Sequence, residues 1–175
     1  NLGDSFQYHY LQTDLGLSQK TPFQEDYTNT LKGLDRLFPY DATRLAAVSH
    51  YLQKLKSKMV VCDIAPMGIL VAQAAGIPSV LVENFTWDWL YEEYTAGDGQ
   101  IIAHIEYLRP IFEMVDFHIQ TDPICDPKSA DLRAGPASRK IKSPPHKVRQ
   151  RLGLAVRDKL VLITTGGVPY DCRFI

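Results

Sequence analysis

Met59-Val60-Val61-Cys62-Asp63-Ile64-Ala65-Pro66-Met67-Gly68-Ile69-Leu70-Val71-Ala72-Gln73-Ala74-Ala75-Gly76-Ile77-Pro78-Ser79-Val80-Leu81-Val82-Glu83 decides the fold. Residues 59–64 form a short apolar run without alternation, the pattern of a strand covered on both faces of a parallel sheet. Pro66 suits the first turn of a helix, where a missing N–H costs nothing. Met67, Leu70, Val71 and Ala74 would be that helix's buried face. Gly76 stops it in a left-handed cap with Pro78 behind it, and residues 79–83 are the next strand. Strand, helix and strand in 25 residues make a βαβ unit with parallel strands and a right-handed crossover.

Working outward, Phe6, Tyr8 and Tyr10 alternate with polar residues across 5–12, the period of a one-faced strand. A helix is expected over 24–40, with Tyr27, Leu31, Leu34 and Phe38 at threes and fours and Pro39 ending it. Asp41 is placed to cap a second helix striped by Leu45, Val48, Leu52 and Leu55. Downstream, residues 86–94 and 101–115 read as helices separated by Gly97-Asp98-Gly99, and 116–120 as a strand. Residues 121–145, with five prolines, read as an irregular connection. A short helix from Ser143-Pro144 closes at Gly153, and Leu160-Val161-Leu162-Ile163 is a new strand running into Thr164-Thr165-Gly166-Gly167. The alternation predicts an α/β class, a Rossmann-like parallel sheet flanked by helices, with strands near 60, 80, 117 and 161 side by side.

Bulk properties exclude several function classes. The chain has 175 residues, 45% hydrophobic and 22% charged, which fits one core plus a connecting tail. A net charge of -1 gives no field to hold nucleic acid or an anionic membrane. Cys62, Cys125 and Cys172 are odd in number and far apart, without C-x-x-C pairs, and read as thiols of a reducing compartment. No apolar run approaches the roughly 18 residues of a spanning helix, so the expected location is the cytoplasm. Asn1 and the ending at Phe174-Ile175, just after a glycine turn, give both ends the look of cuts. His9, His50, His104, His118 and His146 are scattered, and neither a metal nor a catalytic base is assigned to any. Absence of G-x-G-x-x-G, P-loop and G-x-S-x-G motifs argues against dinucleotide oxidoreductases, P-loop kinases and α/β-hydrolases.

In open parallel sheets, ligands collect outside the carboxyl ends of the strands. That rule selects the loops 13–16, 63–66, 83–88 and 164–169. Asp63 closes its strand before a helix, where it either accepts a sugar hydroxyl or caps the helix. Asn84-Phe85-Thr86-Trp87-Asp88 crowds aromatics and hydrogen-bonding side chains into a strand-to-helix loop, a composition suited to sugar faces and hydroxyls. Trp87, Leu90, Tyr91 and Tyr94 at helical spacing equally describe ordinary core, which leaves Phe85 and Asp88 as the better site candidates. Thr165-Gly166-Gly167 is a turn through which backbone N–H groups can approach a diphosphate.

These segments, together with Thr13-Asp14-Leu15-Gly16-Leu17, Asp63-Ile64-Ala65-Pro66, Ala75-Gly76-Ile77-Pro78, Asn84-Phe85-Thr86-Trp87-Asp88-Trp89 and Thr165-Gly166-Gly167-Val168-Pro169, resemble glycosyltransferase-B-fold proteins. The resemblance is to the glycosyltransferase-like group that includes the amino-terminal region of plant L-arabinokinase. It implies two Rossmann-like domains across a cleft: 1–135 as an acceptor-side domain lacking its first strand, 136–158 as a linker with a short helix, and 159–175 as the opening of a donor-side domain. By that resemblance Asp14, Gly16, Asp63, Pro66, Asn84, Phe85 and Asp88 bind substrate, and Thr165, Gly166 and Gly167 begin the donor-phosphate loop. The activity implied is inverting, metal-independent glycosyl transfer from a nucleotide sugar, a uridine diphosphate sugar foremost, to a sugar or glycoside acceptor, with no separate cofactor. A fragment of this extent would be inactive alone, its catalytic base lying before residue 1. The alternative is a non-catalytic sugar or nucleotide-sugar sensing domain of a sugar-kinase-like protein. A sugar-nucleotide epimerase shares the fold and is told apart by its product.

Overall fold

The computed structural model describes residues 6–97, 99–164 and 168. In chain order its elements are β1 (Gln19–Thr21), β2 (Gln24–Glu25), α1 (Tyr27–Leu37), α2 (Ala42–Lys54), β3 (Val60–Asp63), α3 (Pro66–Ala75), β4 (Ser79–Glu83), α4 (Trp87–Glu92), α5 (Ile102–Glu113), β5 (Phe117–Thr121), β6 (Leu132–Ala134) and α6 (Pro145–Arg151). β3, β4, β5 and β6 form a four-stranded, wholly parallel sheet in that order. β1 and β2 pair as a separate antiparallel hairpin. The architecture is α/β and Rossmann-like.

Local chemistry accounts for the boundaries. Asp26 caps α1 by accepting from the Asn29 N–H, and Asp41 caps α2 by accepting from the Arg44 N–H. Pro66 opens α3, and Gly76, at φ 69°, closes it in the left-handed conformation that glycine adopts without strain. α2 packs on α3, α3 on α5, and α4 on α5. Leu34, Met67, Ile69, Leu81, Tyr91 and Leu108 lie at the centre of the resulting core.

Several expectations need correction. Residues 6–12 form no strand; Phe6, Tyr8 and Tyr10 are exposed, and alternation without a neighbouring strand to bond cannot hold an extended ladder. Residues 24 and 25 belong to the hairpin instead of the first helix, which begins after Asp26. The buried face of α3 is Met67, Ile69, Val71, Ala72 and Ala75, whereas Leu70 is half-buried and Ala74 exposed. This helix meets the sheet, α2 and α5 at once, so its buried arc is wider than one stripe and rotated from it. The connection after β5 contains β6, a three-residue strand too short to show a period and held by pairing to β5. Residues 160–163 are exposed and not in a strand, having found no partner in the sheet, so only the strands near 60, 80 and 117 lie together as expected.

The expected cover on both sheet faces is also corrected. Register places Val61, Val80 and Phe117 in one row and Asp63, Val82, Ile119 and Leu132 in the next. Side chains alternate across a strand, and the buried Cys62, Ser79, Leu81, Glu83 and Gln120 all fall on the opposite face. On the first face Val61 is 62% exposed, and Phe117 and Leu132 are each 53% exposed. An unbroken apolar run makes a strand fit for double cover, but the covering layer must come from other elements, and among the described residues it is present on one side. The chain is therefore expected to enhance the fluorescence of an anilinonaphthalene dye. Val61→Lys with Phe117→Lys should abolish that signal while changing stability by less than about 1 kcal/mol. A large drop in melting temperature would mean that this face is covered.

Candidate functional site

At the carboxyl edge of β3 the structure gathers part of the expected set. Asp14 is half-buried, and its Oδ2 accepts from Trp87 Nε1 at 3.1 Å. A Cβ at Gly16 would stand 3.2 Å from the Trp87 ring, so a glycine there lets the 13–17 segment lie against the indole. Tyr40 donates its hydroxyl to the Thr13 carbonyl and Tyr91 to the Leu15 carbonyl, which pins the same segment. Phe85 meets Trp87 edge to face at 5.2 Å between ring centroids. Burial raises the Asp14 carboxyl above the ordinary range; the Trp87 hydrogen bond opposes this, and the nearby Asp63 charge adds to it. Burial likewise raises Tyr40 and Tyr91, with the Asp14 charge contributing.

Asp63 is exposed, and the two readings of it separate here. The cap position of α3 is Ala65, with no side-chain hydrogen bond to the helix, so Asp63 is not its cap. Ile64, directly after it, has φ 54°, a conformation that a β-branched residue adopts only under strain, and such outliers concentrate at ligand sites. Pro66 is buried at the start of α3. Asn84 is half-buried and uses its carbonyl to accept from the Cys125 N–H at 2.8 Å. Thr165, Gly166 and Gly167 lie outside the described residues, as does Cys172. Cys62 is buried, which pushes its thiol up to about 11, and Cys125 is exposed.

Asp88 does not join the edge cluster. It is buried in the first turn of α4, with Oδ2 3.8 Å from Arg109 Nε of α5, and Arg109 is also paired with Glu92. This carboxylate lines a cavity of about 790 Å³ between α4, α5, β5 and the 126–129 loop. A polar network that the sequence did not announce reaches one wall through His118, Asp126 and Lys128. His118 Nε2 lies 2.6 Å from Glu83 Oε1 and its Nδ1 3.1 Å from the Ser129 carbonyl. Gln120 donates to Glu83 Oε1 at 2.8 Å and to the Asp126 carbonyl at 2.9 Å, and accepts from the Lys128 N–H at 3.1 Å. Lys128 Nζ donates to Thr86 Oγ1 at 3.0 Å and stands 2.9 Å from Asp126 Oδ2. One signal was available: a carboxylate ending the apolar strand 79–83 needs partners when buried. Among the described residues, no helix is long and apolar enough to cross a membrane, and no cluster of three His, Cys, Asp or Glu could hold a metal ion.

This chain is similar to an L-arabinokinase. That protein, from Arabidopsis thaliana, is 31% identical to it over 122 residues, which are 68% of this chain and 12% of the L-arabinokinase. The chain thus spans a small part of that protein's length. No protein-family profile matches, and no solved structure matches.

Proposed function

We propose that this chain is the acceptor-side domain of a cytoplasmic, nucleotide-sugar-dependent glycosyltransferase of GT-B architecture. Residues 1–135 would be that domain, 136–158 the linker, and 159–175 the start of the donor-side domain with its phosphate loop at Thr165, Gly166 and Gly167. The observation that carries the reading is Asp14, fixed by Trp87 and within electrostatic reach of Asp63, at the carboxyl edge of a parallel sheet. Carboxylates accept sugar hydroxyls, and the ring of Phe85, packed on Trp87, would offer an apolar face for sugar C–H groups. In the whole protein a base would deprotonate the acceptor hydroxyl while backbone N–H groups receive the leaving diphosphate, inverting the anomeric centre without a metal. The donor would be a uridine diphosphate sugar.

A second reading is a non-catalytic sugar or nucleotide-sugar sensing domain, and it draws on the similarity to a protein named for a sugar kinase. Both readings place a sugar against Asp14 and Asp63, and product analysis separates them. Full-length protein incubated with uridine diphosphate sugars and candidate acceptors should release uridine diphosphate, and Asp63→Asn should weaken acceptor use roughly tenfold, the worth of one charge-assisted hydrogen bond. Sugar binding without turnover would select the sensing role. If Asp63→Asn and Asp14→Asn both leave sugar binding and turnover at the parental level, the edge cluster is not the site.

A further inference from the structure

The geometry points to a second ligand site, the cavity between α4, α5 and the 126–129 loop, built for a neutral sugar of one or two rings. It lies apart from the Asp14 and Asp63 cluster and goes beyond the function proposed for that edge. Its volume, about 790 Å³, falls within the range of small-molecule sites, roughly 300–1,000 Å³. Asp88, 4% exposed, lines it, and Asp88 Oδ1 has no hydrogen-bond partner. A buried carboxylate oxygen left without a donor is costly. Arg109 Nε, 3.8 Å from the other oxygen, is too far for a good hydrogen bond, and a hydroxyl donor from a ligand would satisfy Oδ1 once the adjoining side chains give.

The rest of the lining sets the ligand class. Asp88, Glu92, Glu113 and Asp126 place four carboxylates around the cavity against the two permanent cations Arg109 and Lys128. That excess of negative charge opposes phosphates and carboxylates. Hydroxyl groups suit the mixture, because each donates to a carboxylate and accepts from a guanidinium or ammonium. Trp89 lines the same cavity and Phe112 adds to its apolar wall, giving a surface on which the C–H face of a sugar ring can lie. Arg109 and Lys128, 47% and 39% exposed in their side chains, are accessible enough to exchange a protein contact for a sugar oxygen.

The test is titration of the 175-residue chain with D-glucose, D-galactose and L-arabinose, followed by calorimetry and by Trp fluorescence. Glucosamine and glucose 1-phosphate serve as cationic and anionic probes. Saturable binding of at least one neutral sugar is expected, weakened roughly tenfold or more by Asp88→Asn and by Trp89→Ala. Glucose 1-phosphate should bind less tightly than glucose. If Asp88→Asn fails to fold by circular dichroism, Trp89→Ala and Lys128→Ala carry the comparison. Absence of saturable binding by any neutral sugar overturns the inference, as does binding of glucosamine alone. Loss of sugar binding in Asp63→Asn with none in Trp89→Ala also overturns it, while leaving the edge site standing.

Discussion

Gln120→Leu is expected to lower the unfolding free energy by about 3–5 kcal/mol, read from urea denaturation with an unchanged m-value. Gln120 is fully buried, and its amide holds Glu83 Oε1, the Asp126 carbonyl and the Lys128 N–H together. Leucine has a similar bulk and none of these groups. The largest part of the loss falls on Glu83, whose Oε2 is already without a partner and whose charge then rests on His118 alone. Because the cost comes from a stranded carboxylate, Glu83→Leu combined with Gln120→Leu should lose less than the sum of the two single changes. A single-variant loss below about 1 kcal/mol would show that water satisfies these groups and that the network does not hold the 126–129 loop to the sheet.

Gly68→Val should cost about 3 kcal/mol, for a reason of space. A Cβ at Gly68 would stand 2.6 Å from Cys62 Sγ and 3.3 Å from Val60 Cγ1, so this glycine lets the first turn of α3 lie against β3. Valine adds two methyl groups to a position that does not admit one. The helix start would have to lift, carrying Pro66 and the strained Ile64 with it and disturbing the edge at Asp63. Gly68→Ala brings a helix-propensity gain of up to about 1 kcal/mol against the same overlap, so its net loss should be smaller. Cys62→Ala in the Gly68→Ala background should restore stability by removing the sulfur. A Gly68→Val protein that melts with the parent would mean that the α3–β3 contact is looser than the structure has it.

The carboxyl-edge loops were legible because strand-to-helix turns are marked locally, by Pro66, by Gly76-Ile77-Pro78 and by the Asn84–Asp88 composition. Asp14 was legible only as a member of a turn. Its partnership with Trp87, 73 residues away, depends on how the 13–17 segment crosses the core. Asp88 faces Arg109, a contact that its strand-to-helix loop does not announce, because its place on the first turn of α4 directs it toward α5, on which that helix packs. The role of His118 is not legible in the sequence, since nothing near it in the chain reveals Glu83 across the β4–β5 pairing.

What the residues determined alone was the βαβ unit: apolar runs, a proline-started helix and its glycine stop are local properties, and parallel strands follow from the crossover they force. Tertiary structure decided how the elements meet. Whether an apolar strand is covered on one face or two, whether residues 160–163 pair, and which carboxylate meets which cation depend on elements distant in the chain. Hydrogen-bond partners and covering layers are properties of neighbours in space, and periodicity along a sequence carries no record of them.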